Sequence, residues 1–180
     1  MPDNSTSQGK LIFLTGMPAA GKTYWGNKIA QQYQLQFTDL DVFIAEKEAA
    51  SIQALFAMYG ENGFREREHM YLKQIIHKTK EDTIIACGGG TPCFNDNMGL
   101  MKKAGIVIYL QADVAYLLQH LKESEEVRPL LNNRGDLSVY LAEMLKKRKG
   151  IYEQANYILP TKDISLTTFD EIISSCINRH

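Results

Sequence analysis

The chain has 180 residues, and its 20 lysines and arginines against 21 aspartates and glutamates give a formal net charge of −1. This length is typical of a single domain that can bury a core, so we expect one domain over 1–180. The absence of net positive charge disfavours nucleic acid as a partner. Cys87, Cys93 and Cys176 lack C-x-x-C spacing, which disfavours zinc and disulfides and favours a reducing, cytoplasmic setting.

The N-terminal segment 1–9 is polar, and no apolar run approaches the ~18 residues that a membrane helix needs. We therefore expect a loose tail over 1–9, with no signal peptide and no membrane partner. We also expect a monomer that acts on small molecules.

The residues 16–23, GMPAAGKT, match the phosphate-loop pattern G-x-x-x-x-G-K-[ST]. The apolar run 11–14 before them predicts a buried strand, and Trp25, Ile29 and Tyr33 recur after them as on one face of a helix. In such a loop the backbone N–H groups wrap a phosphate, the lysine reaches the outer phosphates, and the threonine hydroxyl ligates Mg²⁺. The order strand, loop, helix therefore predicts a nucleoside triphosphate site.

Two aspartates, Asp39 and Asp41, follow a predicted strand over 35–39. Ligands of open α/β sheets bind beyond the carboxyl ends of the strands, where the phosphate loop also lies. Both carboxylates can therefore face the phosphates. The alternative is that one of them, Asp41 in particular, only caps the next helix, because aspartate is a preferred N-cap.

Helical periodicity runs from Ser51 to Gly60 and again over about 61–79. Arg65 and Glu68 lie three residues apart in the second helix, and hence on the same side of it. The pair either holds a ligand-binding arginine in place or is a solvated ion pair worth less than about 1 kcal/mol. Spacing alone does not decide between them.

A second apolar strand is predicted over 83–87, and it runs into Gly88, Gly89 and Gly90. Three glycines favour close approach by a ligand or another backbone, or a positive φ, whereas an ordinary strand-to-helix turn needs only one. We interpret the triplet as ligand-binding. Cys87 has no identifiable base beside it, so we expect a small buried side chain rather than a nucleophile.

Further along, we predict a helix over about 95–104, a strand over 106–110, and a helix from its cap Asp113 to about residue 122. The charged, aperiodic stretch of about 123–136 then predicts a mobile lid. An arginine in such a lid, Arg128, can reach a transferring phosphoryl group. The alternative is a plain surface loop with a solvated arginine.

The helical stripe 137–155 carries one cation, Arg148, on an otherwise apolar face. Its side chain either extends out of that face into water or points into a cleft to bind a carboxylate through two guanidinium nitrogens. A short strand is predicted over 157–159. Capping-box spacing from Thr168 to Glu171 predicts the start of the last helix.

This alternation of strands and helices predicts an α/β fold, a three-layer αβα sandwich around a roughly five-stranded parallel sheet. Beside the phosphate loop, the aspartates, the glycine triplet and the arginines at 65, 128 and 148 suit a small, hydroxylated, anionic second ligand. The chemistry indicated is transfer of a γ-phosphoryl group onto a hydroxyl, by positioning and charge neutralisation.

The chain resembles the shikimate kinases over nearly its whole length. The residues that carry the resemblance are 16–23, Asp39-Leu40-Asp41, Gly63-Phe64-Arg65 with Glu68, 88–90, Val127-Arg128-Pro129-Leu130-Leu131, and Arg148 with Tyr152 and Ala155. The resemblance implies a P-loop kinase fold with an acceptor-binding subregion over about 41–72 and a lid over about 123–136. It further implies phosphorylation of the shikimate 3-hydroxyl by ATP, with Mg²⁺, on the route to chorismate and the aromatic amino acids.

The resemblance also implies roles for single residues. Asp41 is the candidate base, and Glu68 orients Arg65. The implied catalytic residues are Lys22, Asp41 and Arg128, and Mg²⁺ is held by Thr23 and, through water, by Asp39. The implied ATP-binding residues are Gly16, Ala19, Ala20, Gly21, Lys22, Thr23, Tyr24 and Arg128. The implied shikimate-binding residues are Asp41, Arg65, Gly88, Gly89, Gly90 and Arg148.

Three positions depart from the family pattern. Ala19 replaces a glycine, so we expect the loop to take a conformation that an L-residue tolerates there. Gln119 and His120 stand where the family often has an arginine against the adenine, which leaves the nucleobase preference open. Cys87 replaces a residue such as threonine or leucine, with an unknown effect.

Two other functions compete with this interpretation. One is a kinase of another small polyhydroxy acid, such as gluconate. The other is a nucleotide-binding protein that has lost catalysis, although the presence of Asp41, Arg65, Arg128 and Arg148 argues against it.

Overall fold

The computed structural model of the protein describes residues 9–123 and 136–177. Its strands are β1 (Leu11–Thr15), β2 (Gln36–Asp39), β3 (Thr83–Ala86), β4 (Gly105–Gln111) and β5 (Tyr157–Pro160). They form one parallel sheet in the order β2-β3-β1-β4-β5, which confirms the predicted sheet. Residues 1–8 of the predicted tail and 124–135 of the predicted lid, with Arg128, lie outside the described residues.

Helices connect the strands in the alternation expected of an α/β fold. Within the described ranges they are α1 (Lys22–Tyr33), α2 (Leu40–Glu48), α3 (Ile52–Lys78), α4 (Asn97–Ala104), α5 (Val114–Glu123), α6 (Leu137–Tyr152) and α7 (Leu166–Ile177). Two short 3₁₀ turns, Thr91–Cys93 and Thr161–Asp163, were not predicted from the sequence.

The sheet is covered on both faces, because alternate residues of each strand point to opposite sides. In β1, Ile12 and Leu14 pack into one apolar core with residues of α1, α5, α6 and α7. Leu11 and Phe13 pack into a second core with residues of α2, α3 and α4. This arrangement confirms the predicted three layers.

Two helix boundaries illustrate where local signals succeed and fail. Gly60 interrupts α3 with a φ of 65° and a ψ of −177°, at the residue where the sequence predicted a helix end. The predicted start of the last helix at Thr168 is wrong, because α7 begins at Leu166. The Thr168 hydroxyl instead accepts a hydrogen bond of 3.0 Å from the backbone N–H of Ser165, the residue before the helix.

The sheet register brings two glycine-containing loops to the same level. Leu14 of β1 pairs with Ala86 of β3, so the phosphate loop and the glycine triplet leave neighbouring strands side by side. Among the helices of residues 9–123 and 136–177, none is long and apolar enough to cross a membrane.

Candidate active site

The phosphate loop follows β1 and turns through residues with positive φ. Gly16 has a φ of 140° and Gly21 a φ of 89°, which are conformations that favour glycine. Ala19 has a φ of 63° and so occupies the small left-handed region that an L-residue tolerates. That conformation costs roughly 1–2 kcal/mol for a residue with a Cβ.

Lys22 lies at the start of α1, and its ammonium is drawn back over the loop. It donates hydrogen bonds to the carbonyl oxygens of Gly16 and Met17 at 3.1 and 2.8 Å. Gly21, the N-cap of α1, offers no side-chain cap. The N–H groups of the first helical turn can therefore bind an anion, which the helix dipole also favours.

Both carboxylate oxygens of Asp39 accept hydrogen bonds at the end of β2. One carboxylate oxygen accepts hydrogen bonds from the backbone N–H groups of Asp41 and Val42 at 3.0 and 3.3 Å, so Asp39 caps α2. The other accepts a hydrogen bond of 2.7 Å from the Thr23 hydroxyl. The cap is therefore Asp39 and not Asp41, which leaves the Asp41 carboxylate available to the site.

The residues present fit a divalent metal that is held mainly by water molecules and substrate phosphates, with few protein ligands. Thr23 and Asp39 supply hard oxygen donors beside the phosphate loop. The described part of the chain contains no group of three or more His, Cys, Asp or Glu side chains that would form an all-protein cage. This donor set suits Mg²⁺, which usually keeps waters and binds substrate phosphates with one or two protein ligands.

Asp41 is a carboxylic acid whose pKa is shifted towards neutral pH. Burial raises its pKa to about 6, and the negative charges of Glu68 and Asp39 add to that effect. The positive charges of Lys22 and Arg65 oppose it. A carboxyl group of this pKa can accept and release a proton near pH 7.

Each glycine of the triplet is approached closely by a different part of the site. A Cβ on Gly88 would lie 2.8 Å from an oxygen of Asp41, and one on Gly89 would lie 2.8 Å from Cδ of Pro18. A Cβ on Gly90 would clash with the guanidinium of Arg65. None of the three has a positive φ. Packing of protein groups around the triplet therefore leaves no room for a Cβ at any of the three positions.

Arg65 and Glu68 form a buried ion pair. Nη1 of Arg65 lies 2.8 Å from Oε2 of Glu68, and the two residues are 8% and 1% exposed. The ring of Phe94 lies 4.3 Å from the guanidinium carbon. The alternative of a solvated surface pair is therefore wrong, because both side chains are buried.

The second oxygen of Glu68 is held by a residue that the sequence did not single out. Thr91 donates its hydroxyl to Oε1 of Glu68 at 2.5 Å. The carbonyl oxygen of Thr91 accepts from the Asn97 amide at 2.9 Å, and the Asn97 oxygen lies 2.6 Å from Nδ1 of His69. No spacing signal links these residues, which come together only in the folded chain.

Arg148 lines a cleft of about 430 Å³, which we call the arginine cleft. Its other lining residues are Glu61, Cys93, Phe94, Tyr140, Glu143, Met144 and Lys147. Burial raises the pKa of the Cys93 thiol in this cleft, and the positive charges of Arg148 and Arg65 oppose that rise. Of the two alternatives for Arg148, the structure favours the cleft.

A larger cleft of about 610 Å³ lies over the phosphate loop, and we call it the phosphate cleft. It is lined by Pro18, Ala19, Gly21, Lys22, Thr23, Tyr24, Asp39, Asp41, Val42, Cys87, Gly88, Gly89 and His120. Of the other predicted site residues, Gly16 and Ala20 are buried, and Gly90 packs on Arg65. His120 stacks on Tyr116 with ring centroids 4.0 Å apart.

The family comparison agrees with this geometry. The family model for shikimate kinase matches residues 18–179. The chain belongs to the shikimate kinase family. It is 39% identical over 155 residues to the shikimate kinase of Phocaeicola vulgatus. The aligned region covers 85% of this chain and 87% of that protein.

Solved structures of shikimate kinases are similar to this chain throughout. The shikimate kinase of Bacteroides thetaiotaomicron has a TM-score of 0.83 at 32% identity and covers 92% of this chain and 97% of its own. The shikimate kinase of Acinetobacter baumannii, in complex with shikimate, has a TM-score of 0.81 at 30% identity, with coverage of 97% and 96%. A gluconokinase from Sinorhizobium meliloti, at 12% identity and a TM-score of 0.53, shares the fold alone.

As a member of the shikimate kinase family, the chain is an ATP-dependent kinase that acts on a hydroxyl group, and its ATP dependence implies a divalent metal.

One of the departures from the family pattern, Cys87, lies in the protein interior. Cys87 is buried, its sulfur lies 3.6 Å from that of Met101, and burial raises the pKa of its thiol. The structure therefore fits the expected buried side chain rather than a nucleophile.

Proposed function

We propose that this protein transfers the γ-phosphoryl group of ATP to the 3-hydroxyl of shikimate. The products are ADP and shikimate 3-phosphate, on the route to chorismate and the aromatic amino acids. One observation carries the proposal beyond family membership. Asp41, a carboxyl group with a raised pKa, lies in the same cleft as the phosphate loop, and the buried Arg65–Glu68 pair packs on the adjoining glycine triplet.

The donor side of the proposed reaction uses the phosphate loop. The backbone N–H groups of residues 16–23 surround the β-phosphate, and Lys22 moves from its carbonyl partners to the outer phosphates. Thr23 would ligate Mg²⁺ directly, and Asp39 would hold it through water. A bound Mg²⁺ would neutralise phosphate charge during transfer.

The acceptor side uses Asp41 and the two arginines. With a pKa of about 6, Asp41 is mostly ionised at pH 7, so it can take the proton of the 3-hydroxyl as that oxygen attacks phosphorus. Arg65 and Arg148 bind the shikimate carboxylate, and the backbone N–H of Gly89 donates to the acceptor, with Gly88 and Gly90 beside it. These residues orient the hydroxyl and keep it in line with the γ-phosphate.

The remaining assignments belong to the same proposal. Ala19, Ala20 and Tyr24 contribute to ATP binding, and the stacked ring of His120 takes the place of the family arginine against the nucleobase. Arg128, in the lid, meets the transferring phosphoryl group. We place the enzyme in the cytoplasm as a monomer, a setting that its three free cysteines fit.

A coupled assay of ADP release tests the proposal directly. Purified protein with MgATP should release ADP when shikimate is present and release little without it. Turnover of gluconate with none of shikimate would favour the rival polyhydroxy-acid kinase. Absence of turnover with either acceptor, in protein that still binds ATP, would favour a binding protein that has lost catalysis.

A matched pair of arginine variants on α3 sharpens the test. Arg65→Ala should weaken shikimate binding by about 2–5 kcal/mol, because it removes a buried, charge-paired contact. Arg67→Ala removes an arginine two residues away that pairs at 3.5 Å with Glu48, outside the site, so it should leave the shikimate KM near that of the wild type. Equal KM values for the wild type and Arg65→Ala would remove Arg65 from the acceptor site.

A further inference from the structure

We propose that Thr91 is a positioning residue for acceptor binding, whose hydroxyl holds the Glu68 carboxylate and thereby orients the Arg65 guanidinium towards the acceptor. The inference rests on the proposed function, because it assigns a new residue to the acceptor half of that site. Thr91 does not line either of the two clefts. We therefore assign its main effect to its hydrogen bond with Glu68.

The Glu68 carboxylate is shared between two donors. Oε2 accepts from Nη1 of Arg65 at 2.8 Å, and Oε1 accepts from the Thr91 hydroxyl at 2.5 Å. Glu68 and Thr91 are 1% and 0% exposed, so water does not replace either donor. With its second oxygen anchored, the carboxylate cannot rotate away from Arg65 without leaving a buried oxygen unpaired, which is costly.

Thr91 is itself held rigidly, so it can impose an orientation on Glu68. Its N–H donates to the carbonyl oxygen of Gly88 at 3.1 Å, inside the glycine triplet. Its carbonyl oxygen accepts from the fully buried Asn97, which is fixed in turn by His69. The backbone N–H of Thr91 is therefore hydrogen-bonded to the glycine triplet, and its carbonyl oxygen to α4.

The same hydroxyl lies beside the candidate base. A Cβ on Gly88 would lie 3.0 Å from the Thr91 oxygen and 2.8 Å from an oxygen of Asp41, so the two groups flank one α-carbon. Glu68 also acts electrostatically on Asp41. Loss of the Thr91 hydroxyl should therefore disturb the arginine first and the base second.

Threonine variants separate positioning from general stability. Thr91→Val keeps the shape and removes the hydroxyl, whereas Thr91→Ser keeps the hydroxyl. Thr83→Val is the matched control, since Thr83 is also buried and lies at the opposite end of β3, where its hydroxyl donates to the Glu81 carbonyl oxygen at 2.8 Å. The full chain is used throughout, with ADP release as the readout.

Thr91→Val should raise the shikimate KM roughly tenfold or more, because a hydrogen bond to a charged group is lost, while the ATP KM changes by less than about twofold. Thr91→Ser and Thr83→Val should both stay within about twofold of the wild-type shikimate KM. A Thr91→Val shikimate KM equal to that of the wild type would overturn the inference. So would equal increases in the KM values of both substrates, or failure of Thr91→Ser to restore binding.

If Thr91→Val does not fold, Thr91→Ala serves in its place, and a shikimate KM like that of the wild type overturns the inference in the same way. A double variant with Glu68→Gln gives a second readout. Because Thr91 acts through Glu68, removing its hydroxyl in the Glu68→Gln background should raise the shikimate KM by much less than in the wild type, and additive increases would contradict that. Failure of the proposed function is distinguishable, because the wild-type protein itself would then release no ADP on adding shikimate.

Discussion

The hydroxyl of Tyr152 donates a hydrogen bond of 2.5 Å to the carbonyl oxygen of Gly89. Tyr152 is fully buried, stacks on Tyr109 with ring centroids 4.9 Å apart, and lies one helical turn after Arg148. The bond therefore joins the end of α6 to the glycine triplet. It also fixes the Gly89–Gly90 peptide, since the carbonyl and the next N–H lie in one plane.

Tyr152→Phe should lower the free energy of unfolding by about 1–3 kcal/mol, because it leaves the Gly89 carbonyl without its donor. It should also raise the shikimate KM, since the triplet and Arg148 both belong to the acceptor side. Urea unfolding and steady-state kinetics measure the two effects. Tyr109→Phe is the control, because the Tyr109 ring is also buried but its hydroxyl makes no hydrogen bond within residues 9–123 and 136–177. Similar losses in the two variants would contradict the prediction.

Asp41→Asn should keep ATP binding and lose most of kcat, because the amide cannot accept the proton of the acceptor hydroxyl. In the wild type, kcat/KM should fall as pH drops below about 6, where Asp41 takes up a proton. An unchanged kcat in the variant would remove Asp41 from the mechanism. A pH profile without an acidic limb near 6 would count against it as the base.

The same substitution should stabilise the fold at neutral pH. The folded pKa of Asp41 lies above its value of 3.8 in an unfolded chain, so ionisation of Asp41 destabilises the protein progressively as pH rises from about 4 through 6. Asp41→Asn should therefore raise the free energy of unfolding by about 2–3 kcal/mol at pH 8, with little gain at pH 4. Asp113→Asn should act oppositely, since hydrogen bonds from Lys162 and the Tyr116 backbone lower the pKa of Asp113. Stability curves with pH for the two variants check both signs.

Gly90→Ala should damage the acceptor side through sterics alone. The backbone of Gly90 is right-handed helical, with φ −89° and ψ −19°, and so admits alanine, but the added methyl would displace the Arg65 guanidinium. We expect a cost in stability of about 1–3 kcal/mol and a higher shikimate KM. Gly150→Ala lies on α6, where the new Cβ would meet no side chain or other element of the described residues within 4 Å. It should instead stabilise the helix by about 0.5–1 kcal/mol. A tolerated Gly90→Ala would show that Arg65 can bind shikimate from another position.

Ala19→Gly should relieve the backbone of the phosphate loop. The left-handed conformation costs alanine roughly 1–2 kcal/mol, and the entropy of an added glycine costs about 0.5–1 kcal/mol, so a net gain of up to about 1 kcal/mol is expected. Ala20→Gly is the control, because Ala20 is fully buried and has no positive φ, and it should destabilise. Thermal unfolding of both variants decides, and equal losses would mean that Ala19 is not strained.

Local patterns were enough to predict the strands and most of the α-helices. The apolar runs around Phe13, Ile85 and Val107 mark strands because both faces of a parallel sheet are buried. The phosphate loop is recognisable because its glycines are needed at positions with backbone angles that few other residues adopt. The start of α7 was predicted three residues too late, because Thr168 was interpreted as the N-cap. In the structure Thr168 lies in the first turn of α7, and its hydroxyl accepts a hydrogen bond from the N–H of Ser165, the residue before the helix.

The site was harder to predict wherever it depends on tertiary contacts. The spacing of Arg65 and Glu68 places them together, but their burial depends on tertiary packing by residues far away in the sequence, such as Phe94. Which aspartate caps α2 depends on where β2 ends. Thr91 is separated from Glu68 by 23 residues, and no periodicity connects them.

The backbone hydrogen bonds between β1 and β3 continue up to the residue before the glycine triplet. The N–H of Cys87 donates to the carbonyl oxygen of Leu14 at 3.0 Å, immediately before the glycine triplet. Neighbouring strands lie about 4.8 Å apart whatever side chains they carry. The relative position of the phosphate loop and the glycine triplet is therefore fixed by backbone pairing of the sheet. Substitutions of acceptor-side side chains can change which hydroxy acid is held without moving the strands that carry the two loops.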